Sequence, residues 1–307
     1  MRIAFPGQCM TIKTQTKFLN TKVLTTKVLV NDIELNVIEA GDINNQQKKL
    51  VVLLHGFPSY SGSWSRQIDP LVNAGYRVLA PDLRGFNLSE SPKKGEDINF
   101  EIAADDIAEL VKNYQADKII FIGHDFGGIT GWFFAMKYPG LLEKFVAVTA
   151  PCPLYLSKIL RLRNLFKHTY FFLFQIRGFE KVLTRRATEF INRIYKNDPV
   201  NEGAFSKEEI NKLIDAFSRK DVPLNCMRYY RSIPLIKDQI KSYDQIINPI
   251  LILTADHDQY VKSSSMANPG REVAPNAKQI CIKNCSHWPM ADQTEEFNHL
   301  ILEFLHS

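Results

Sequence analysis

Short hydrophobic runs of strand type alternate along this chain with segments whose apolar residues recur at helical spacing. Residues 23–30 and 33–39 are rich in β-branched side chains and flank Asn31-Asp32, which predicts a hairpin. Residues 50–54, the run LVVLL, are typical of a buried central strand. Further strands are predicted at 77–80, 118–122, 144–148, 249–253 and 278–282, and helices at 102–114, 128–137 and 294–305. This alternation predicts an α/β fold with a mostly parallel central sheet flanked by helices.

The pattern changes between residues 154 and 243, where no clear buried-strand run occurs. Helical, aromatic and basic stretches take its place, at 156–173, 179–195 and 207–219. We therefore predict an N-terminal extension at 1–22, an α/β core at 23–151 and 244–307, and an inserted helical cap subdomain at 152–243. Open α/β sheets bind ligands at the carboxyl ends of their strands, so a cap there would act as a lid.

The segment Gly123–Gly128, GHDFGG, lies between the strand 118–122 and the helix 128–137. A strand, a sharp glycine-flanked turn and a helix are the context of the nucleophile elbow of the α/β-hydrolase fold, in which the nucleophile is often serine. Here Asp125 holds that position. A carboxylate attacks a saturated carbon and becomes an ester itself, which favours opening of an epoxide or displacement of a halide over acyl transfer. An ordinary turn, with Asp125 as the N-cap of the helix, is the alternative for this segment alone.

Two later residues complete the chain order of an α/β-hydrolase triad, which is nucleophile, acid and histidine. Asp258 follows the strand 249–253, and His287 follows the strand 278–282. Both would therefore lie beyond the carboxyl end of a strand, near the elbow. A histidine is suited to deprotonating water near neutral pH, and an acid holds its tautomer. Asp256 is the competing acid.

The tetrapeptide 55–58, HGFP, follows the first buried strand. The backbone N–H of Phe57, joined by that of Phe126 after the nucleophile, would form an oxyanion hole. Pro58 cannot donate, which leaves Phe57 as the donor from this loop. Such a hole stabilises the oxyanion that forms when water attacks an ester of Asp125. A simple loop turn is the alternative.

These motifs resemble those of the epoxide hydrolases that have the α/β-hydrolase fold. The similar segments are HGFP at 55–58, DLRG at 82–85, GHDFGG at 123–128 and SHW at 286–288, and the resemblance runs from about Lys27 to Leu305. It implies conversion of a lipophilic epoxide to a vicinal diol through a covalent ester, without a metal or an organic cofactor. Asp125 would be the nucleophile, His287 the general base and Asp258 the orienting acid, with Phe57, Phe126 and Trp288 in the oxyanion hole and substrate site.

The resemblance also implies two cap tyrosines that hydrogen-bond to the epoxide oxygen and protonate it. Tyr230 matches the second of them, because it directly precedes Arg231. Tyr170 opens the aromatic run YFFLF and matches the first. Two phenols with a pKa of about 10 can share the charge of the departing alkoxide and supply a proton. Packing within the cap is the alternative for both, and the competing candidates are Tyr155, Tyr195 and Tyr229.

The chain departs from the resembled pattern in two places. Phe126 stands where epoxide hydrolases and haloalkane dehalogenases often have Trp and haloacetate dehalogenases have Arg, so halide or carboxylate binding is weakened. Ser286 replaces the usual Gly before the histidine. A haloalkane or haloacid dehalogenase with the same Asp125 nucleophile is the alternative function, since part of the motif set is shared. An idle α/β-hydrolase used for ligand binding is a third.

Composition narrows the class of protein further. Of the 307 residues, 45% are hydrophobic and 23% charged, and the net charge of +5 forms no basic block, which argues against nucleic-acid binding. No run reaches the roughly 18 apolar residues of a membrane span, and the N-terminal part lacks the apolar core of a signal peptide. Five scattered cysteines suggest reduced thiols, so we expect a cytoplasmic protein. Its expected partners are an apolar epoxide and water, and we expect a monomer or homodimer.

Overall fold

A computed structural model describes residues 14–18, 21–153, 156, 169–236, 244–262 and 273–307, with the backbone alone at 14–18, 169, 170 and 235. Nine strands in this part of the chain form one sheet. They are β1 Thr14–Phe18, β2 Thr21–Val30, β3 Ile33–Ala40, β4 Leu50–Leu54, β5 Arg77–Pro81, β6 Ile119–His124, β7 Leu142–Val148, β8 Ile250–Ala255 and β9 Ala277–Ile282.

The strand order across the sheet is β1-β2-β3-β5-β4-β6-β7-β8-β9. The pairs β1·β2, β2·β3 and β3·β5 are antiparallel. All the following pairs, from β5·β4 to β8·β9, are parallel. Every residue of β4 and β6 is buried, which agrees with continuous apolar runs in strands covered on both faces. The predicted fold class, an α/β fold with a mostly parallel sheet, is therefore confirmed.

Ten α-helices occur among the described residues. They are α1 Ser65–Asn73, α2 Phe100–Asn113, α3 Phe126–Lys137, α4 Thr169–Gln175, α5 Phe179–Arg185, α6 Ala187–Asn197, α7 Lys207–Phe217, α8 Val222–Ser232, α9 Pro289–Asp292 and α10 Thr294–His306. Local chemistry sets several of their ends: the Asn99 side chain accepts from the N–H of Ile102 at the start of α2, and Ser206 and Glu209 form a capping box on α7. Helix α3 is apolar on all faces and packs against α2, β6 and β7 in the centre of the domain.

The sheet begins earlier than the sequence pattern indicates. Strand β1 pairs with β2 from Thr14 opposite Thr25 to Phe18 opposite Thr21. The expectation of a loose extension over residues 1–22 is therefore wrong for residues 14–18, which form an edge strand. Polar and basic residues dominate this segment, TQTKF, and an edge strand needs no continuous apolar run.

Helices α4 to α8 all lie between β7 and β8 in the chain, and the described residues between these two strands contain no strand. They pack over the core through specific side chains. Asn225 Nδ2 donates to the carbonyl of Gly85 at 3.0 Å, and Arg66 on α1 forms an ion pair with Glu209 at 2.9 Å. The insertion of helices places a cover over the loops that follow the parallel strands. The exact cap boundaries at 152 and 243 stay a prediction.

Candidate active site

Asp125 occupies the turn between β6 and α3. Its backbone has φ 49° and ψ −115°, which a residue with a side chain adopts only where the surrounding structure holds it. Glycines allow the turn to be this tight. A Cβ on Gly127 would lie 2.1 Å from the carbonyl oxygen of Leu54, and a Cβ on Gly123 would lie 2.4 Å from the carbonyl oxygen of Gly127. The elbow therefore packs directly against β4 and raises the Asp125 carboxylate above the sheet.

The two oxygens of Asp125 have different neighbours. The N–H of Phe57 donates to Oδ1 at 2.8 Å, and Oδ2 lies 3.5 Å from His287 Nε2. The loop that carries Phe57 approaches closely, since a Cβ on Gly56 would lie 2.4 Å from the Asp125 Cβ. The N–H of Phe126, the other predicted donor, belongs to the first turn of α3, where amides have no partner within the helix. One carboxylate oxygen is thus held by an amide while the other faces the imidazole.

His287 is held on its other side by Asp258. The distance from His287 Nδ1 to Asp258 Oδ2 is 2.8 Å, and both side chains are buried. The second oxygen of Asp258 accepts the N–H groups of Tyr260 and Val261, at 2.8 and 2.9 Å. The structure therefore brings Asp125, His287 and Asp258 into one line.

Asp256, the competing acid, has other partners. It accepts from the N–H of Cys285 at 3.2 Å and lies 2.8 Å from Nδ1 of the exposed His257. Burial raises the pKa of Asp256, but the hydrogen bonds from His257 and the backbone, together with the charge of His257, outweigh it and lower that pKa to about 2. Asp256 thus fixes the loop and does not reach His287.

The backbone of His287 is anchored to the elbow strand and the strand beside it. His124 Nε2 lies 2.9 Å from the carbonyl oxygen of His287, and Thr149 Oγ1 donates to the same oxygen at 3.0 Å. Burial lowers the pKa of His124 to about 3, so its ring is neutral and its Nε2–H is the donor. His124 is also the residue directly before Asp125.

Burial and charge act in opposite directions on the reacting pair. Burial raises the pKa of Asp125, but the hydrogen bond and charge of His287 and the Phe57 amide lower it below its ordinary value. Burial lowers the pKa of His287, but the charge of Asp258 and the hydrogen bonds to both carboxylates raise it to about 10. At neutral pH the resting site therefore holds an ionised Asp125 beside an imidazolium.

A pocket of about 90 Å³ opens over Asp125. Apart from Asp125 and His287, every described residue that lines it is apolar or aromatic. Phe57, Phe126 and Trp288 contribute from the core, as the sequence predicts for substrate-contacting positions. The Trp288 ring stands nearly perpendicular to the His287 ring, with 5.1 Å between centroids. Such a pocket can bind the apolar part of a small molecule and keep water away from the carboxylate.

Tyr230 is the cap tyrosine that the structure places in this pocket. It lies on α8, is 8% exposed, and its ring is 4.8 Å from that of Phe126. The adjacent Arg231 anchors the helix, because its guanidinium donates to the carbonyl of Phe174 and pairs with Glu180 at 2.9 Å. Tyr230 thus lines the pocket, whereas Arg231 holds helix α8 against its neighbours.

The other tyrosines named from the sequence fall elsewhere. Tyr170 lies in the first turn of α4, but its side chain is outside the described part of the chain, as is all of Tyr155. Tyr195 is buried and donates to the carbonyl of Pro58 at 3.3 Å. Tyr229 is fully buried against Phe126, away from the pocket walls. The assignment of Tyr170 stays a prediction.

Tyr260 is a pocket residue that the sequence reasoning did not identify. Its ring packs on His287 at 5.1 Å between centroids, and its hydroxyl donates to Asp198 Oδ2 in a short hydrogen bond. Asp198 directly follows cap helix α6, so this bond joins the cap to the core beside the imidazole. Its position two residues after Asp258 could have identified Tyr260 as a pocket residue, because the loop that carries the acid also faces the histidine.

The DLRG segment at 82–85 makes structural contacts that hold the loop after β5. Asp82 is fully buried and accepts from the N–H of Ser61 at 2.7 Å. Arg84 forms a buried bidentate pair with Asp106, with both contacts at 2.6 Å. His55 accepts the N–H of Leu83 at 3.0 Å, which ties this loop to the HGFP loop. The segment thereby fixes the backbone that presents Phe57.

The described residues hold no group of three or more His, Cys, Asp or Glu side chains placed to bind a metal ion. Within the same residues, no helix is long and apolar enough to cross a membrane.

Comparisons with known proteins agree with this geometry. The family model for the alpha/beta hydrolase fold matches residues 49–294. The chain is 32% identical over 263 residues to the AB hydrolase superfamily protein YfhM of Bacillus subtilis, covering 83% of this chain and 90% of that protein. It is 30% identical over 273 residues to epoxide hydrolase 3 of Xenopus tropicalis, covering 87% of this chain and 73% of that protein. The crystal structure of epoxide hydrolase VrEH1 from Vigna radiata superposes with a TM-score of 0.81 at 23% identity, covering 92% and 98% of the two chains.

Proposed function

The chain belongs to the epoxide hydrolase family of the α/β-hydrolase fold, and from this premise we propose that it converts a lipophilic epoxide to a vicinal diol through a covalent ester of Asp125. The observation that supports the proposal best is the division of labour at Asp125, where an amide holds Oδ1 and an imidazole faces Oδ2. A carboxylate arranged in this way can form an ester through Oδ2, while Oδ1 takes up the negative charge when water attacks the carboxyl carbon.

In the first half-reaction, Asp125 Oδ2 attacks an epoxide carbon and the carbon–oxygen bond of the ring breaks. Oδ1 remains the carbonyl oxygen, because the N–H of Phe57 already binds it. Tyr230, together with Tyr170 as the resemblance implies, donates to the epoxide oxygen and supplies the proton that the alkoxide takes up. The low pKa of Asp125 keeps the nucleophile ionised despite its burial.

In the second half-reaction, His287 Nε2 takes a proton from water as the water oxygen attacks the carboxyl carbon of Asp125. The oxyanion forms on Oδ1, where the N–H groups of Phe57 and Phe126 stabilise it. When the intermediate collapses, the bond from that carbon to Oδ2 breaks, and the diol oxygen takes the proton from His287. The acid form of Asp125 then loses its proton, which restores the tyrosine.

Esterification also prepares the base. The carboxylate of Asp125 contributes to the raised pKa of His287, and the ester carries no charge. The pKa of His287 therefore falls once the ester has formed, so the imidazolium releases its proton to solvent before it activates water, and it takes a proton back from solvent when hydrolysis restores the Asp125 carboxylate. Asp258 keeps the ring oriented throughout, since its contact with Nδ1 is not part of the reaction.

The experiment that tests the proposal is a single turnover of an aryl epoxide in ¹⁸O-water with excess enzyme. The first diol should carry no ¹⁸O, because its new oxygen is Oδ2 of Asp125, and the label should appear in the peptide that contains Asp125. Label in the first diol would show direct attack by water and contradict the ester. Haloalkanes assayed in parallel separate the alternative, since release of halide with no diol from any epoxide would mean a dehalogenase.

A further inference from the structure

A second, smaller cavity of about 10 Å³ lies beside the pocket. We call it the inner cavity, and its polar lining residues are His55, Ser59, Ser63, Trp64, His124, Tyr195 and Trp288. Trp288 also lines the pocket over Asp125, so its side chain borders both spaces. The inner cavity has room for about one water molecule.

Two of its walls carry buried donors without an acceptor. The indole N–H groups of Trp64 and Trp288 make no hydrogen bond of normal geometry with the described residues, although Trp288 lies beside the Tyr195 hydroxyl and the two residues are only 1% and 3% exposed. A buried donor left in this state is rare, because its loss of hydration is not compensated. The usual solution is an ordered water molecule.

The hydroxyl groups at the inner cavity are the complementary acceptors. Tyr195 Oη, which donates to Pro58, lies beside Ser59 and Trp288. Ser59 Oγ and Ser63 Oγ are 2.5 Å apart, so one hydroxyl donates to the other. A hydroxyl oxygen has two lone pairs, so each of them can also accept a hydrogen bond from water. A water oxygen can accept from two N–H groups and give its own two protons to hydroxyl oxygens. The inner cavity offers that set of partners.

We propose that the inner cavity binds one water molecule that supplies the hydrolytic step at Asp125. This rests on the proposed ester mechanism, which consumes one water per turnover. The pocket itself offers an apolar wall that the alkyl chain of the ester covers, so bulk water has poor access to the carboxyl carbon. The inner cavity adjoins the residues next to both reacting groups, namely His124 before Asp125 and Trp288 after His287. Water held there lies beside Trp288, whose ring packs on that of His287 and borders both spaces.

A crystal structure of the unliganded protein tests the site without reference to activity. We expect an ordered water within hydrogen-bond distance of both indole nitrogens. In the Trp64→Phe protein, which loses one donor and keeps an aromatic ring, the same water should be weakened or lost. An inner cavity with no solvent density in the unmodified protein would overturn the proposal, whether or not an epoxide is turned over.

Rapid mixing with mass detection of the ester then tests the role. Tyr195→Phe should slow hydrolysis of the ester by about tenfold and leave its formation within about twofold. Tyr229→Phe is the matched control, since it also removes a buried hydroxyl but lies away from both cavities, and it should change neither step. Trp64→Phe should repeat the Tyr195→Phe result and serves if that variant folds poorly.

Two outcomes of the kinetic test would count against the proposal. Slower ester formation in Tyr195→Phe would make Tyr195 a donor to the epoxide oxygen. Unchanged hydrolysis in both variants would show that the inner cavity does not feed the reaction. Failure of the unmodified protein to form any ester would instead contradict the proposed function and leave the crystallographic result to decide the water site.

Discussion

Asp258 after β8 contacts His287 after β9, with 2.8 Å between Oδ2 and Nδ1, while Asp256 on the same loop as Asp258 pairs with an exposed histidine. Replacement of Asp258 by Asn should slow ester hydrolysis by about 10²–10⁴-fold, because the imidazole loses its tautomer and its countercharge. Asp256→Asn is the matched control and should retain nearly full turnover. Stopped-flow measurement of ester decay on both variants decides between the two acids, and equal losses would contradict the assignment.

Replacement of His287 by Gln should separate the two half-reactions. The nucleophile remains, so an epoxide should still form the ester, but no base activates water and hydrolysis should fall by about 10²–10⁴-fold. Intact-protein mass spectrometry should show a stable adduct on Asp125. His257→Gln, at an exposed histidine on the acid loop, is the control and should show no adduct. An adduct-free His287→Gln protein with normal diol formation would exclude His287 as the base.

Tyr230→Phe and Tyr229→Phe form a neighbouring pair on one helix. Tyr230 lines the pocket and Tyr229 is buried behind it, so only the former can donate to a bound epoxide. We expect Tyr230→Phe to slow ester formation by about 10²-fold and to leave the decay of preformed ester unchanged. The rate of ester formation at saturating epoxide is the measurement. A normal rate in Tyr230→Phe would make that residue part of the packing alone.

The pKa of His287 should depend on the charge of Asp125. In Asp125→Asn one of the two adjacent carboxylates is gone, so an NMR titration should place the pKa of His287 below that of the unmodified protein. The same substitution should abolish diol formation. An unchanged His287 titration would show that Asp258 alone sets it.

The free energy of unfolding should depend on the protonation of His287 as pH rises. The pKa of His287 is about 10 in the folded protein and about 6.5 when unfolded, so its stabilising contribution is complete below about pH 6.5 and is lost as pH rises towards 10. Urea unfolding between pH 6 and 10 should therefore show a decline in the free energy of unfolding that is smaller in His287→Gln. Parallel curves for the two proteins would contradict the raised pKa.

The elbow should not tolerate a methyl group at Gly127. The added Cβ would meet a backbone carbonyl at 2.1 Å, which cannot move without displacing β4. We expect Gly127→Ala to lower the free energy of unfolding by about 1–3 kcal/mol and to reduce activity further by moving Asp125. Thermal unfolding of both variants is the measurement. Gly140→Ala is the control, and its free energy of unfolding should be unchanged because nothing lies within 4 Å of the new atom.

Most strands of the sheet and the candidate catalytic residues could be predicted from the sequence, because each of them has a local signal. Buried parallel strands are continuous apolar runs, and the nucleophile is marked by glycines that the turn requires. Helix α1 has no such signal, since it contains Pro70 and ends in polar residues, and β1 lacks an apolar run. Helix α8 was also not predicted, because its apolar face is made of aromatic and sulfur side chains mixed with arginines.

Contacts between distant parts of the chain explain what was missed at the site. The bond between Tyr260 and Asp198 joins residues 62 apart, and neither residue type is unusual in its own segment. The orphan indoles of the inner cavity come from residues 64 and 288, which sequence alone does not bring together. Local spacing identifies the candidate catalytic residues, whereas the proposed water site and the contacts between cap and core depend on tertiary packing.

The ring of His124 binds the backbone of His287, and its own backbone continues into Asp125. The proposed nucleophile and the proposed base are therefore two ends of one short bracket, His124, which belongs to the core strand β6. Any displacement of the cap helices by a larger or differently shaped ligand leaves the length of this bracket unchanged. Variation in the cap can thus alter which molecules are accepted without retuning the separation on which the chemistry depends.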